Sequence, residues 1–150
     1  NTQYGKAKKQ LYNKLISFQK RKKFNLTWMR IFYIYGPNQR NKSIYSQLKN
    51  FDTMQSGGIF KLTEGKQLRD YIHVTTLAKK IIDLSFFNKN FGIVNVCSGK
   101  PISVKNLVLK WKKKFKWKIK LKFGGKSLKK YEPNSFWGST VKIKSILKIK

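Results

Sequence analysis

The sequence predicts an α/β fold with parallel strands, and three patterns carry that prediction. Strand-like and helix-like segments alternate along the chain. The strand-like runs are short, apolar and rich in β-branched and aromatic residues, and they end at Gly-Pro or Ser-Gly stops. The helix-like runs place apolar residues three and four apart, several of them behind a Ser or Thr that can cap the first turn.

Residues 4–23 read as a helix, with Leu11, Leu15, Ile16 and Phe18 spaced for one apolar face. Residues 25–35 are apolar, β-branched and aromatic, and Gly36-Pro37 stops them, so they read as one buried strand. Residues 41–50 read as a helix, Ser56-Gly57-Gly58 as a turn and residues 59–62 as a short strand. Residues 69–74 are extended. Thr75 or Thr76 then caps a helix to about Phe86, with Leu77, Ala78, Ile81, Ile82 and Leu84 inward. Residues 92–96 form a compact strand, and Ser103 caps a helix to about Phe115. Residues 116–123 alternate Lys with Trp117, Ile119, Leu121 and Phe123, the period of a strand with one wet face. Residues 124–138 are irregular and aromatic, and the last helix covers about 140–148.

The length of 150 residues suits one domain over residues 1–150, long enough for a sizeable core. The chain does not begin with Met, which predicts a piece of a longer or interrupted chain. Its net charge of +30 would attract polyanions, either nucleic acid or an anionic membrane surface. The kind of charge argues against nucleic acid. Only Arg21, Arg30, Arg40 and Arg69 carry the guanidinium fork that grips phosphates and bases, and the rest of the 35 basic residues are lysines. The excess of Lys, Asn, Ile, Phe and Tyr is spread over the whole chain, as compositional bias would leave it. Cys97 is the single cysteine, which excludes an internal disulfide and a cysteine metal cluster and points to a reducing, cytoplasmic compartment. No apolar run approaches the ~20 residues that span a bilayer.

Tyr4-Gly-Lys-Ala-Lys8 puts a phenol and an ammonium at i and i+4, one turn apart on one helix face. A fixed cation beside a phenol favours the phenolate, and such a Tyr can pass a proton to or from a hydroxyl or carbonyl. A solvated helix face explains the same spacing equally well. His73, inside Tyr-Ile-His-Val, reads as a partly buried, hydrogen-bonded structural residue. Trp28, Trp111, Trp117 and Trp137 read as core or lid packing, and Cys97 as a small apolar group.

Context separates the two readings of the opening pair. Tyr4-x-x-x-Lys8 is followed by Arg30-Ile-Phe-Tyr-Ile-Tyr-Gly-Pro37, then by Gly65-Lys-Gln-Leu-Arg-Asp-Tyr-Ile-His-Val74. Val94-Asn-Val-Cys-Ser-Gly-Lys-Pro-Ile-Ser-Val104 and Tyr131-Glu-Pro-Asn-Ser-Phe-Trp-Gly138 complete the series. In that order the blocks resemble the NAD-dependent epimerase/dehydratase family, the extended short-chain dehydrogenases/reductases. The tail block and residues 32–36 look like its dTDP-6-deoxy-L-talose 4-dehydrogenase group.

The resemblance implies the C-terminal part of a Rossmann-type parallel sheet plus a small α/β substrate-binding lobe. It makes Tyr4 the catalytic acid/base and Lys8 the holder of the nicotinamide ribose of NAD or NADP. The backbone around Ile31 and Tyr33 would lie beside the nicotinamide. Arg69 would pair with the diphosphate of a nucleotide-sugar substrate, its plainer role being an ion pair with Asp70 or Glu64. Asn38 and Gln39 follow the strand at its C-terminal end and are candidates to contact the sugar, or else polar loop filler. The implied activity is oxidoreduction at C4 of a dTDP-linked or similar deoxyhexose, for polysaccharide sugar-nucleotide biosynthesis; epimerisation or dehydration of the same substrate class is the alternative. A basic polyanion-binding module and an inactive remnant remain as further readings. The family's dimer helix would begin at Tyr4, implying a homodimer when complete. Tyr33 stands where many members have Asn, and Thr75-Thr76 and Ser139 replace usual acidic residues, which bears on which sugar is bound. The Gly-rich phosphate loop is absent: neither Gly57-Gly58 nor Gly124-Gly125 fits Gly-x-x-Gly-x-x-Gly. Alone, the chain is expected to expose a sheet edge and to be poorly stable.

Overall fold

The structure is a computed structural model that describes residues 2–127 and 133–148. Helix α1 (Gln3–Arg21) starts at Thr2, whose Oγ1 accepts the Gly5 N–H at 3.1 Å. It ends where the chain turns back on itself. Phe18 meets Phe24 with ring centroids 5.8 Å apart, and Tyr12 meets Trp28 at 5.3 Å, so α1 runs antiparallel to strand β1 (Thr27–Ile31). Strand β1 is followed by β2 (Tyr33–Tyr35), helix α2 (Ile44–Met54) and β3 (Ile59–Lys61). Then come β4 (Leu68–His73), α3 (Val74–Ser85), β5 (Gly92–Val96), β6 (Pro101–Ser103) and α4 (Val104–Lys114). The chain closes with β7 (Lys120–Lys122), β8 (Ser135–Phe136) and α5 (Val141–Leu147).

The strands form three small groups. β1 pairs in parallel with β5, from Thr27 opposite Gly92 to Ile31 opposite Val96. β2 pairs in parallel with β4, which also carries β6 antiparallel and β8 parallel. β3 pairs in parallel with β7. The expected single strand over residues 25–35 is therefore two. Phe32 donates its N–H to the Val96 carbonyl at 3.3 Å, the last link to β5, and Tyr33 then pairs with Tyr71 of β4. The segment changes partner at Phe32, and it is not buried throughout, because Arg30, Ile31 and Tyr33 are exposed.

Other differences are local. Helix α2 begins at Ile44, behind Ser43, whose Oγ accepts the Ser46 N–H, and runs to Met54. The cap of α3 is His73 rather than Thr75 or Thr76: its Nδ1 accepts the Thr75 N–H at 3.3 Å. Ser103 caps α4 as expected. Strand β7 is shorter than residues 116–123, because Lys116 takes a positive φ of 54° and Asp52 captures the N–H groups of Lys118 and Ile119. Strands β6 and β8 carry no sequence signal of their own, being three and two residues long.

Two cores result. One gathers Leu48 of α2, Val104, Leu107, Val108 and Trp111 of α4, and Ile119. Its hub is the buried Trp111 ring, in contact with Tyr35, Tyr45 and Tyr71 at 5.1–5.7 Å. Burial, and secondarily the neighbouring Tyr35, raises the Tyr45 phenol above its ordinary pKa. The other core joins Ile72, Leu77, Leu84, Val94, Val96 and Ile143, where α3 and α5 cover β4 and β5.

Candidate active site

The candidate residues gather around the junction of β1 and β2, where Ile31 ends the first strand and Tyr33 begins the second. Helix α1 brings Tyr4 there. From Tyr12, level with Trp28, the helix rises about 12 Å to Tyr4. The same step along β1 from Trp28 reaches Ile31 and Phe32, since a strand advances about 3.3 Å per residue. Tyr4 and Lys8 share one face, the Lys8 ammonium lying 5.5 Å from the Tyr4 ring centroid. Tyr4 is 73% exposed, and Ile31 and Tyr33 are 47% and 41% exposed. All four side chains, Tyr4, Lys8, Ile31 and Tyr33, are open to solvent.

Arg69 lies next to Tyr33. Its guanidinium is 5.9 Å from the Tyr33 ring centroid, and its Nη1 donates to the Leu68 carbonyl at 2.8 Å. Arg69 is 1% exposed, so the predicted diphosphate ligand lies beneath the surface. Glu64 pairs with Lys66 at 2.7 Å, and Asp70 accepts backbone donors. Lys66 holds the Glu64 carboxyl below its usual pKa by hydrogen bond and charge.

Asp70, which sequence reasoning passed over, organises this corner. It is fully buried. Its Oδ1 accepts the Ser98 N–H at 2.8 Å and the Ser98 hydroxyl at 2.6 Å; its Oδ2 accepts Gly99 N–H at 2.9 Å and Gly138 N–H at 3.4 Å. One carboxylate thus ties β4 to the β5–β6 turn and to the tail. A carboxylate on the inward side of a strand must find donors, and that alternation was the available signal. The tail comes close because residue 138 is Gly: a Cβ there would stand 2.6 Å from Phe32 and 2.8 Å from Cys97 Sγ. Phe136 stacks on Phe32 at 5.0 Å and meets the Tyr33 edge at 6.4 Å.

The remaining candidates divide. Asn38 is exposed, in a left-handed conformation with φ 60° that Asn tolerates. Gln39 is turned back: its Nε2 donates to the Ile34 carbonyl at 2.7 Å, and its buried Oε1 has no hydrogen-bond partner. His73 caps α3 and packs on Tyr35, a structural post. Burial, and then the Asp70 charge, push the Cys97 thiol up to about 11, so it is no nucleophile near neutral pH. Tyr131 and Glu132 of the tail block lie outside the described residues. A groove of about 890 Å³, also unforeseen, opens between Thr63–Leu68 and the segments 124–127 and 134–135. Its polar side chains include Lys66, Lys126, Gln67 and Asn134, and also the Glu64 carboxylate. Among the described residues no group of His, Cys, Asp and Glu could hold a metal ion. No helix among them is long and apolar enough to cross a membrane.

The sequence model of the NAD dependent epimerase/dehydratase family matches residues 1–97. The chain is similar to dTDP-6-deoxy-L-talose 4-dehydrogenase (NAD(+)) of Aggregatibacter actinomycetemcomitans, with 33% identity over 138 residues, covering 91% of the chain and 50% of the relative. Its fold is similar to UDP-N-acetylglucosamine 4-epimerase from Methanobrevibacter ruminantium, with TM-score 0.82, 20% identity and coverage of 98% and 47% of the two chains. It is also similar to UDP-glucose 4-epimerase from Thermotoga maritima, with TM-score 0.78, 21% identity and coverage of 95% and 46%. The chain spans about half the length of the relatives it matches.

Proposed function

The chain belongs to the NAD-dependent epimerase/dehydratase family, and on that premise we propose that it supplies the acid/base and sugar-binding half of an NAD(P)-dependent nucleotide-sugar oxidoreductase. The observation that carries the reading is the Tyr4–Lys8 pair on one helix face, level with the junction of β1 and β2. The substrate class is a dTDP-linked or similar deoxyhexose, as the name of the 33% identical relative suggests. Epimerisation or dehydration of the same class is the second reading, suggested by the names of the similar structures.

The residues present fit one end of a dinucleotide. Lys8 has donors for ribose hydroxyls, and the exposed Ile31 and Tyr33 offer an apolar floor for a flat ring. Nothing in the 150 residues fits the Gly-rich cradle for its diphosphate. When bound, NAD or NADP would supply hydride exchange at the hexose C4. Tyr4 moves the proton at the C4 oxygen. Arg69 is the candidate partner of the substrate diphosphate, and Asn38 and Gln39 are candidates for its sugar. The exposed α1 serves a homodimer interface, and the setting is the cytoplasm.

The test is NAD(P)H consumption with a dTDP-4-keto-6-deoxyhexose by this chain together with a Gly-rich dinucleotide-binding segment. Tyr4→Phe is expected to lower kcat by at least about 100-fold, the share of a positioned acid/base, with cofactor binding intact. Turnover unchanged by Tyr4→Phe removes the acid/base assignment.

A further inference from the structure

Composition accounts for how many lysines the chain has, and the fold decides where they stand. On the two-stranded sheet of β3 and β7, Lys61, Lys120 and Lys122 point to one exposed side, while Phe60 and Leu121 turn toward the core. Lys118 continues the alternation, exposed between the buried Trp117 and Ile119. Along the strand these ammonium stems repeat about every 6.6 Å, two residues apart. Lys61 and Lys122 are register partners, like charges directly opposite each other across neighbouring strands. Such pairs are destabilising in a sheet. No described carboxylate relieves them: Asp52 holds the backbone of Lys118 and Ile119, Glu64 pairs with Lys66, Asp70 is buried, and Asp83 pairs with Lys79. A face that keeps this repulsion is built to meet negative charge from outside the chain.

We propose that this face is a peripheral docking site for an anionic lipid surface. The face is a strip of two short strands, with the turn at Gly125 against the stem of Lys61. Its cations are lysines, point charges on flexible stems, with no guanidinium fork to read a base edge. It presents no exposed ring to stack a base, which single-stranded nucleic acid would call for. Its one exposed apolar side chain, Ile59 at 58% exposure, lies on the same side as Lys61 and can rest at the headgroup boundary. Four clustered lysines suffice for attraction to phosphatidylserine-type headgroups. The site is independent of the sugar-nucleotide chemistry and would keep the protein at a membrane without spanning it.

The experiment is co-sedimentation of the chain with phosphatidylcholine vesicles, with and without one-third phosphatidylserine. Binding is expected only to the mixed vesicles and is expected to fall steeply with salt. Replacing Lys61, Lys118, Lys120 and Lys122 by Gln is expected to weaken it about 100-fold or more. Removing equal charge from α1, as Lys6→Gln, Lys9→Gln, Lys14→Gln and Lys20→Gln, should weaken it only severalfold. The single variant Lys61→Glu guards against misfolding, since it turns a like pair into an opposite one: it should raise thermal stability while lowering vesicle binding. Equal losses in the two quadruple variants overturn the proposal, as do equal binding to neutral vesicles and vesicle binding unchanged in Lys61→Glu. A face quadruple that keeps vesicle binding but loses a single-stranded oligonucleotide overturns it in favour of nucleic acid.

Discussion

Helices α1 and α4 read alike in the sequence, since both are Lys-rich with an apolar stripe. The structure treats them oppositely. α4 buries Val104, Leu107, Val108 and Trp111 in the larger core. α1 buries no residue, and leaves Tyr4, Leu11 and Phe18 exposed along one face. The difference teaches that the two halves of the proposed site rest on different foundations. The side around Arg69 and Asp70, proposed to bind substrate, is anchored in packed structure. The acid/base pair rides on a helix held mainly through Tyr12 on Trp28 and the turn back into β1.

That contrast can be broken by mutation. The largest effect is expected at the hub of the packed half: Trp111→Ala should cost about 3–5 kcal/mol in urea denaturation, enough to unfold the lobe. Asp70→Ala comes next, at about 2–3 kcal/mol, because it strands backbone donors of Ser98, Gly99 and Gly138 in the interior. Leu11→Ala, on the exposed face of α1, should change stability by less than about 0.5 kcal/mol. A loss at Leu11 comparable to that at Trp111 would mean that α1 is packed in solution against another surface, such as a second copy.

The sequence made the packed half legible and left its joints hidden. Ser103 as the α4 cap, the 3.6-residue spacing of Val104, Leu107, Val108 and Trp111, and the alternation around Ile119 all express local rules that tertiary contacts reinforce. The change of partner at Phe32 was not legible, because pairing first with Val96 and then with Tyr71 depends on residues about 65 and 40 positions away. The Asp70 clamp needed the β5–β6 turn and the tail to arrive together, and no local pattern encodes that meeting. Tyr4 and Lys8 were legible as a spacing, and their height beside Ile31 follows only from the antiparallel return of the chain.

The central claim is that binding and acid/base chemistry reside on separable parts of this one chain. Calorimetric titration of dTDP into the chain tests it most directly, with Arg69→Ala and Tyr4→Phe as the paired variants. The account predicts that dTDP binds the wild-type chain, that Arg69→Ala weakens it at least about tenfold through loss of a charge-assisted pair, and that Tyr4→Phe leaves it unchanged. Binding lost in Tyr4→Phe and retained in Arg69→Ala would contradict it.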